Sequence, residues 1–433
     1  MRVRHKARRL ILSSHSVNGQ SFMTVAFDTK RRALSPAAPI LDALPAHSAV
    51  SIGAERLGSI DLLRGLVMIV MALDHTRDFF SANGFNPRDV TEPALFLTRW
   101  VTHFCAPTFI FLAGVSAYLY AAKGRTGGEV SRYLFTRGFW LVLVEFTVVR
   151  LGWTFSLQFD HFVAQVIFAI GAAMIVLAAL VYLPRWAIAA TGLAMIAGHN
   201  MLDGVKAAQM GVAASIWHVL HQPGVLEGIP DPKIFVLYPL IPWIGVMAAG
   251  YALGPVFTRE RQARVRELFA LGVTITVGFI LLRATNIYGD PAPWSVQEGF
   301  LPTVLSFLNC EKYPPSLLYL AMTLGPMLML AAWLEKTRAP SAHWVATFGR
   351  VPLFYYVVHI FLIHALALLC AWQTVGDIGW LFGPSAAHKP EGYGLGLAGI
   401  YAVWLAVVVL LYPVCRWFAG VKRRRTEWWW SYL

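Results

Sequence analysis

Residues 56–80 read RLGSIDLLRGLVMIVMALDHTRDFF. The centre of this stretch is a hydrophobic span that belongs in a bilayer. Asp61, Arg64, Asp74, His75, Arg77 and Asp78 are nevertheless written into it or its ends. Charge inside hydrocarbon costs several kcal/mol, so such residues mark a site. The spacing sharpens this. At about 100° per residue, Arg64 and His75 return to nearly the same helix face, roughly 16 Å apart along the axis. Asp61 lies one turn before Arg64 and Asp78 one turn after His75. One stripe therefore runs Asp61, Arg64, His75, Asp78 across most of the membrane.

The rest of the chain agrees with a membrane setting. Of its 433 residues, 57% are hydrophobic and only 14% charged, too apolar for a soluble chain of this length. Apolar runs recur between about residues 60 and 420, and they predict an all-α, polytopic bundle of about ten transmembrane helices. The expected spans are 59–80, 96–120, 133–150, 162–182, 186–202, 234–254, 267–284, 316–334, 351–372 and 396–419. The net charge of +13 does not make this a nucleic-acid binder, which needs a basic face on a soluble fold. The charge sorts by topology instead. RERQARVRE (259–267) and KRRR (422–425) lie on the same side when the N-terminus is inside, so both termini are expected in the cytoplasm.

Three regions follow. Residues 1–55 are basic and then rich in Ala and Pro, with no apolar core of signal-peptide length. They read as a disordered cytoplasmic leader. Residues 56–420 form the membrane domain, and 421–433 a basic, aromatic cytoplasmic tail. Long outer segments are expected at 203–233, 285–315 and 373–395. Within the first, KAAQMGVAASIWHVLH (206–221) reads as an amphipathic surface helix, with His218 and His221 on its polar face.

The four Cys have no metal or redox spacing. The 13 His include no His-x-x-x-His pair and no HExxH, so no metal is expected. Walker, Rossmann and GxSxG motifs are absent.

Further candidates join the stripe. His103, about two turns into the second span, falls at a depth similar to His75. VPLFYYVVHIFLIH (351–364) carries His359 and His364, about 140° apart around one helix, so only one can face a given site squarely. Tyr355 shares the face of His359. A carboxylate behind a His is a common way to orient a general base, which gives Asp78 a role beside His75.

SIDLLRGLVMIVMALDH, HFCAPTFIFLAG (103–114), YPLIPWIGVMAAGY (238–251), CEKYPPSLLYLAMTLGP (310–326) and GRVPLFYYVVHIFLIH (349–364) resemble a bacterial family of membrane proteins. That family is grouped with the catalytic domain of heparan-alpha-glucosaminide N-acetyltransferase, among the transmembrane acyltransferases. The resemblance covers roughly residues 56–420. It implies transfer of an acyl group, commonly acetyl, from cytosolic acyl-CoA to a hydroxyl or amine across the bacterial inner membrane. The acceptor would be an extracytoplasmic sugar or lipid-linked molecule. Arg64 and His75 also match the Arg, ten residues, His spacing of the acyltransferase-3 family. By that resemblance His75 is the catalytic His, Arg64 supports the donor side, and His359 matches a His late in the bundle.

There is one departure from the heparan enzyme. Its catalytic His falls in the loop after the first helix, and SANGFNPRDVTEPALFL (81–97) contains none. The role of His75 therefore leans on the acyltransferase-3 spacing, and the heparan substrate is not carried over.

Together these readings give an acyl-CoA-dependent O- or N-acyltransferase. Arg64, with Asp61, binds the donor's anionic end. His75 is general base or acyl carrier, Asp78 orients it, and His103 and His359 assist. The rival expectation is a proton-coupled transporter using the Asp, Arg and His residues of the first helix.

Overall fold

The computed structural model describes residues 58–228, 231–337, 343–383 and 389–425, with Glu427 and Trp430. The expected leader lies outside these residues, as does part of the tail.

The first helix, α1, spans Gly58–Phe80. The next run is split into α2 (Pro93–Thr102) and α3 (Cys105–Ala121). α4 (Gly127–Val144) continues through a π-turn at Glu145–Val149 into α5 (Arg150–Thr154). There follow α6 (Val166–Leu180), α7 (Arg185–Gly198), α8 (Ala214–Leu220), α9 (Leu240–Leu253) and α10 (Arg261–Thr285). The chain continues with α11 (Phe300–Leu308), α12 (Leu317–Thr337), α13 (His343–Arg350), α14 (Pro352–Thr374) and α15 (Leu397–Arg424). A small sheet has strand order β1 (His161–Ala164), β3 (Lys233–Val236), β2 (Gly224–Val225). β1 runs parallel to β3, and β2 antiparallel.

The fold is an all-α membrane protein. Among the described residues, six segments are long and apolar enough to cross a bilayer: Pro93–Ala121, Leu240–Thr258, Arg261–Thr285, Leu317–Lys336, Pro352–Thr374 and Leu397–Arg424. Helix faces turned away from the core expose Phe135, Phe139, Leu281, Val409 and Trp417, as lipid-facing surfaces do. α1 has the length to cross, but its Asp and Arg residues interrupt its apolar character. It is largely buried, and it packs on α3, α12, α13, α14 and α15.

Among the described residues, a helix stands at each expected span, but several boundaries differ for physical reasons. The second span breaks at His103 and Phe104. Pro107 has no N–H to donate to the His103 carbonyl, and the Tyr319 hydroxyl donates to that oxygen instead, at 2.8 Å. The expected spans at 162–182 and 234–254 each open as a strand, β1 and β3, before the helix begins. β3 ends at Val236, and Pro239 is the N-cap of α9. The expected surface helix at 206–221 is α-helical only over Ala214–Leu220. It is preceded by two short 3-10 turns, with Gly211 at φ +52°.

Small residues let the helices meet closely. At the crossing of α1 and α13, a Cβ on Gly65 would run into the Val345 carbonyl, and one on Gly349 into the Asp61 carbonyl. This crossing fixes the Asp61–Arg64 end of α1 against the start of α14.

Candidate active site

The α1–α14 contact builds the site. His75 and His359 meet with Nδ1 of His75 2.7 Å from Nε2 of His359. Their rings are nearly parallel, with centroids 4.9 Å apart. His359 Nδ1 lies 2.8 Å from the Tyr355 carbonyl, one turn back on its own helix. Both imidazoles are buried.

The hydrogen-bond network assigns the protons of the neutral pair. A carbonyl only accepts, so His359 Nδ1 carries a hydrogen and donates it to Tyr355. His359 Nε2 then holds a lone pair and accepts from His75 Nδ1–H. The lone pair of His75 is left on Nε2. His359 thus does for His75 what a carboxylate does in other dyads: it fixes tautomer and ring orientation.

Aromatic rings wall the pair. Trp153 and Tyr356 lie edge-on to His75, at 4.9 and 5.8 Å between centroids, and Trp153 stacks on Phe79. Trp153 follows the π-turn, where one added residue shifts helical phase. Glu145 opens that turn. Its carboxylate accepts from the Phe168 N–H in the first turn of α6, at 2.8 Å.

A cavity of about 300 Å³ reaches Tyr356, next to this pair, although neither imidazole is among its lining residues. One group of its lining residues is basic: Arg64, Arg137, Arg350 and Lys422. Its walls are apolar, with Met68 and Met71 from α1 and Ile167, Ile170 and Met174 from α6. It also includes Tyr356, whose ring is edge-on to both His75 and His359. Arg64 is held at the wall by bonds to Ser116 Oγ and to the Leu112 carbonyl, the latter 3.1 Å.

The other candidates sit elsewhere. Asp61 is buried, with Arg350 Nε 3.8 Å from its carboxylate. It shares the basic end with Arg64. Asp78 has a half-exposed side chain and pairs with Arg77 at 2.9 Å, not with His75. Asp74 also pairs with Arg77, at 2.8 Å, and closes the helix end. His103 is buried against Tyr319, and neither of its ring nitrogens has a hydrogen-bond partner among the described residues. His364 faces the Gly152 and Leu381 carbonyls, at 2.9 and 3.1 Å, away from His359. The four cysteines are free.

Beyond the His75 end of α1, Lys312 of the CEKYPPS segment folds inward. Its Nζ lies 3.6 Å from Asp74, which also accepts from Thr102 at 3.0 Å. Buried Arg99 belongs to the same region. Sequence reasoning singled out neither Trp153, Tyr356 nor the basic residues Arg137, Arg350 and Lys422. The aromatics carry no pattern that separates a site from an interfacial belt, and the cations are indistinguishable from ordinary inner-loop charge.

The family model described as heparan-alpha-glucosaminide N-acetyltransferase, catalytic, matches residues 56–288. The chain belongs to this family. The match spans more than half of the sequence and includes Arg64, His75 and His103, while His359 lies beyond it. No protein of curated function matches the chain. Membership makes this a multi-pass membrane protein with an acetyltransferase-type activity, in agreement with its apolar helices.

Proposed function

We propose that this protein moves an acetyl group from cytosolic acetyl-CoA to a hydroxyl or amine on an extracytoplasmic glycan or lipid-linked acceptor, in the bacterial inner membrane. The observation that carries this reading is the cavity. Its lining holds four basic side chains, apolar side chains of α1 and α6, and Tyr356, whose ring touches both His75 and His359; this supports a path from the basic end toward the pair. Acetyl-CoA is a matching ligand, with an anionic nucleotide end and a long, narrow pantetheine arm. Arg64, Arg137, Arg350 and Lys422 bind the phosphates on the cytoplasmic side. The arm passes Met68 and Met71 and delivers the thioester toward His75. The distance needed is about 16 Å, the rise of α1 between Arg64 and His75.

The acceptor arrives from the opposite face, past Lys312 and the CEKYPPS segment. His75 Nε2 takes the proton from the acceptor O–H or N–H as that atom attacks the thioester carbonyl. The new C–O or C–N bond forms, and the C–S bond breaks. The CoA sulfur leaves with the proton that His75 held. His359 positions His75 throughout, through the Nδ1–H···Nε2 bond. Asp61 steadies Arg350 at the donor end. Asp78 and His103 act outside this pair, Asp78 through Arg77 at the helix end and His103 within the Asp74–Lys312 region.

The test is transfer from labelled acetyl-CoA by purified protein in nanodiscs, offered a cell-envelope extract. Label entering a glycan or lipid fraction, with equal release of free CoA, supports the reading. Movement of a solute without covalent change would favour a transporter.

A further inference from the structure

A second cluster lies apart from the acyl-transfer machinery. His199 opens the 3-10 turn after α7, Asp203 follows that turn, and His221 caps α8. One donor atom from each of the three falls within 4.8 Å of the others. His221 Nε2 and Asp203 Oδ1 are 3.2 Å apart, and the two imidazole rings are 5.6 Å apart between centroids.

The imidazoles are nearly inaccessible, His199 at 2% and His221 at 3%. His199 has the Pro315 backbone within reach as one polar partner, which leaves a second ring nitrogen without a strict hydrogen bond, and Nδ1 of His221 has none among the described residues. Buried polar atoms are rarely left this way, because each lost hydrogen bond costs about 1–3 kcal/mol. Here one nitrogen from each of the two imidazoles lies close to the Asp203 carboxylate.

We propose that His199, Asp203 and His221 form a divalent cation site of the Zn²⁺ class. Two imidazoles and one carboxylate suit that ion, and three protein ligands leave a fourth position for water or a partner group. The outer shell is built as well. Asn200 donates to the second oxygen of Asp203 at 2.9 Å, which orients the carboxylate. The same Asn200 accepts from the Leu317 N–H at 2.9 Å. The ion would therefore pin the α7 end and α8 to each other, and through Asn200 to the start of α12. No sequence motif announced it, since His199 and His221 lie on different elements.

The test uses the full-length, tag-free protein in detergent, stripped with a chelator and reloaded with Zn²⁺. Metal content after desalting is read by mass spectrometry, and Co²⁺ is used as a spectroscopic probe. The expected result is about one Zn²⁺ per chain and a visible Co²⁺ ligand-field band from a nitrogen–oxygen site. His199→Ala and His221→Gln should each weaken binding by about tenfold or more, and His161→Ala, at a half-buried histidine in β1, should not. Each variant is first checked for a monodisperse elution profile, and a variant that fails is replaced by Asp203→Asn. Wild-type protein that retains no Zn²⁺, or variants that bind as well as wild type, would overturn the proposal.

Discussion

His75 and His359 lie 284 residues apart in the chain, and their ring nitrogens lie 2.7 Å apart in the fold. The bond ties the far end of α1 to the middle of α14. It also leaves the free lone pair of His75 on Nε2, because the Tyr355 carbonyl holds the far proton of His359.

The basic end of the cavity should govern donor affinity, not chemistry. Arg137→Ala or Lys422→Ala removes one charge-assisted contact to a phosphate, worth about 1.5–3 kcal/mol. The expected outcome is a KM for acetyl-CoA raised roughly tenfold or more, with kcat nearly unchanged. Steady-state kinetics in nanodiscs checks it. A drop in kcat at constant KM would place these residues elsewhere in the reaction.

The α1–α13 crossing should tolerate no side chain. Gly349→Ala drives a methyl group into the Asp61 carbonyl, and overpacking of this kind costs about 1–3 kcal/mol or more. Lower yield and a lower Tm in detergent are expected. Gly420→Ala, on α15 with nothing within 4 Å of its Cβ position, should be neutral or slightly stabilising. Equal behaviour of the two variants would contradict the crossing.

Glu145 should matter as an acceptor. Glu145→Gln keeps an oxygen for the Phe168 N–H and should stay close to wild type in Tm. Glu145→Ala leaves that buried donor unpaired and should cost about 1–3 kcal/mol. If both variants melt alike, the bond to α6 is not what holds the π-turn in place.

Lys389 gives a pH signature outside the spans. Its ammonium donates to the carbonyls of Asp78 and Ser81, at 2.9 and 2.8 Å. Burial pushes it down to about 8, against the opposing pull of Asp78. The folded value lies below the unfolded one, so the unfolded chain binds the extra proton. This group therefore disfavours folding at pH below about 8, and the penalty fades as pH rises from there toward the ordinary lysine value near 10.4. Amine acylation followed by peptide mass spectrometry should show Lys389 reaching half its limiting rate near pH 8. A midpoint above 10 would contradict the burial argument.

Much of this was legible in the sequence. The helix period alone put Arg64 and His75 on one stripe, and the placement of His359 and His364 five residues apart implied that only one would face a site. Periodicity does not say which helices become neighbours, so the partner of His75 could not be read. Asp78 was the local choice, one turn away, but Arg77 lies between it and Asp74 and pairs with both. The break at His103 was written in Pro107 and hidden by an apolar run. The strands β1 and β3 were hidden in the same way, because HFVA and KIFV merge into the hydrophobic helices that follow.

The most direct measurement is acetyl-CoA turnover by wild type beside His75→Ala, His359→Ala and His364→Ala, all purified in nanodiscs. His75→Ala should abolish acceptor-dependent CoA release. His359→Ala should lower kcat by about 10²–10⁴-fold with little change in KM for acetyl-CoA. His364→Ala should keep its kcat if it folds. Full turnover by a folded His75→Ala protein would contradict the account.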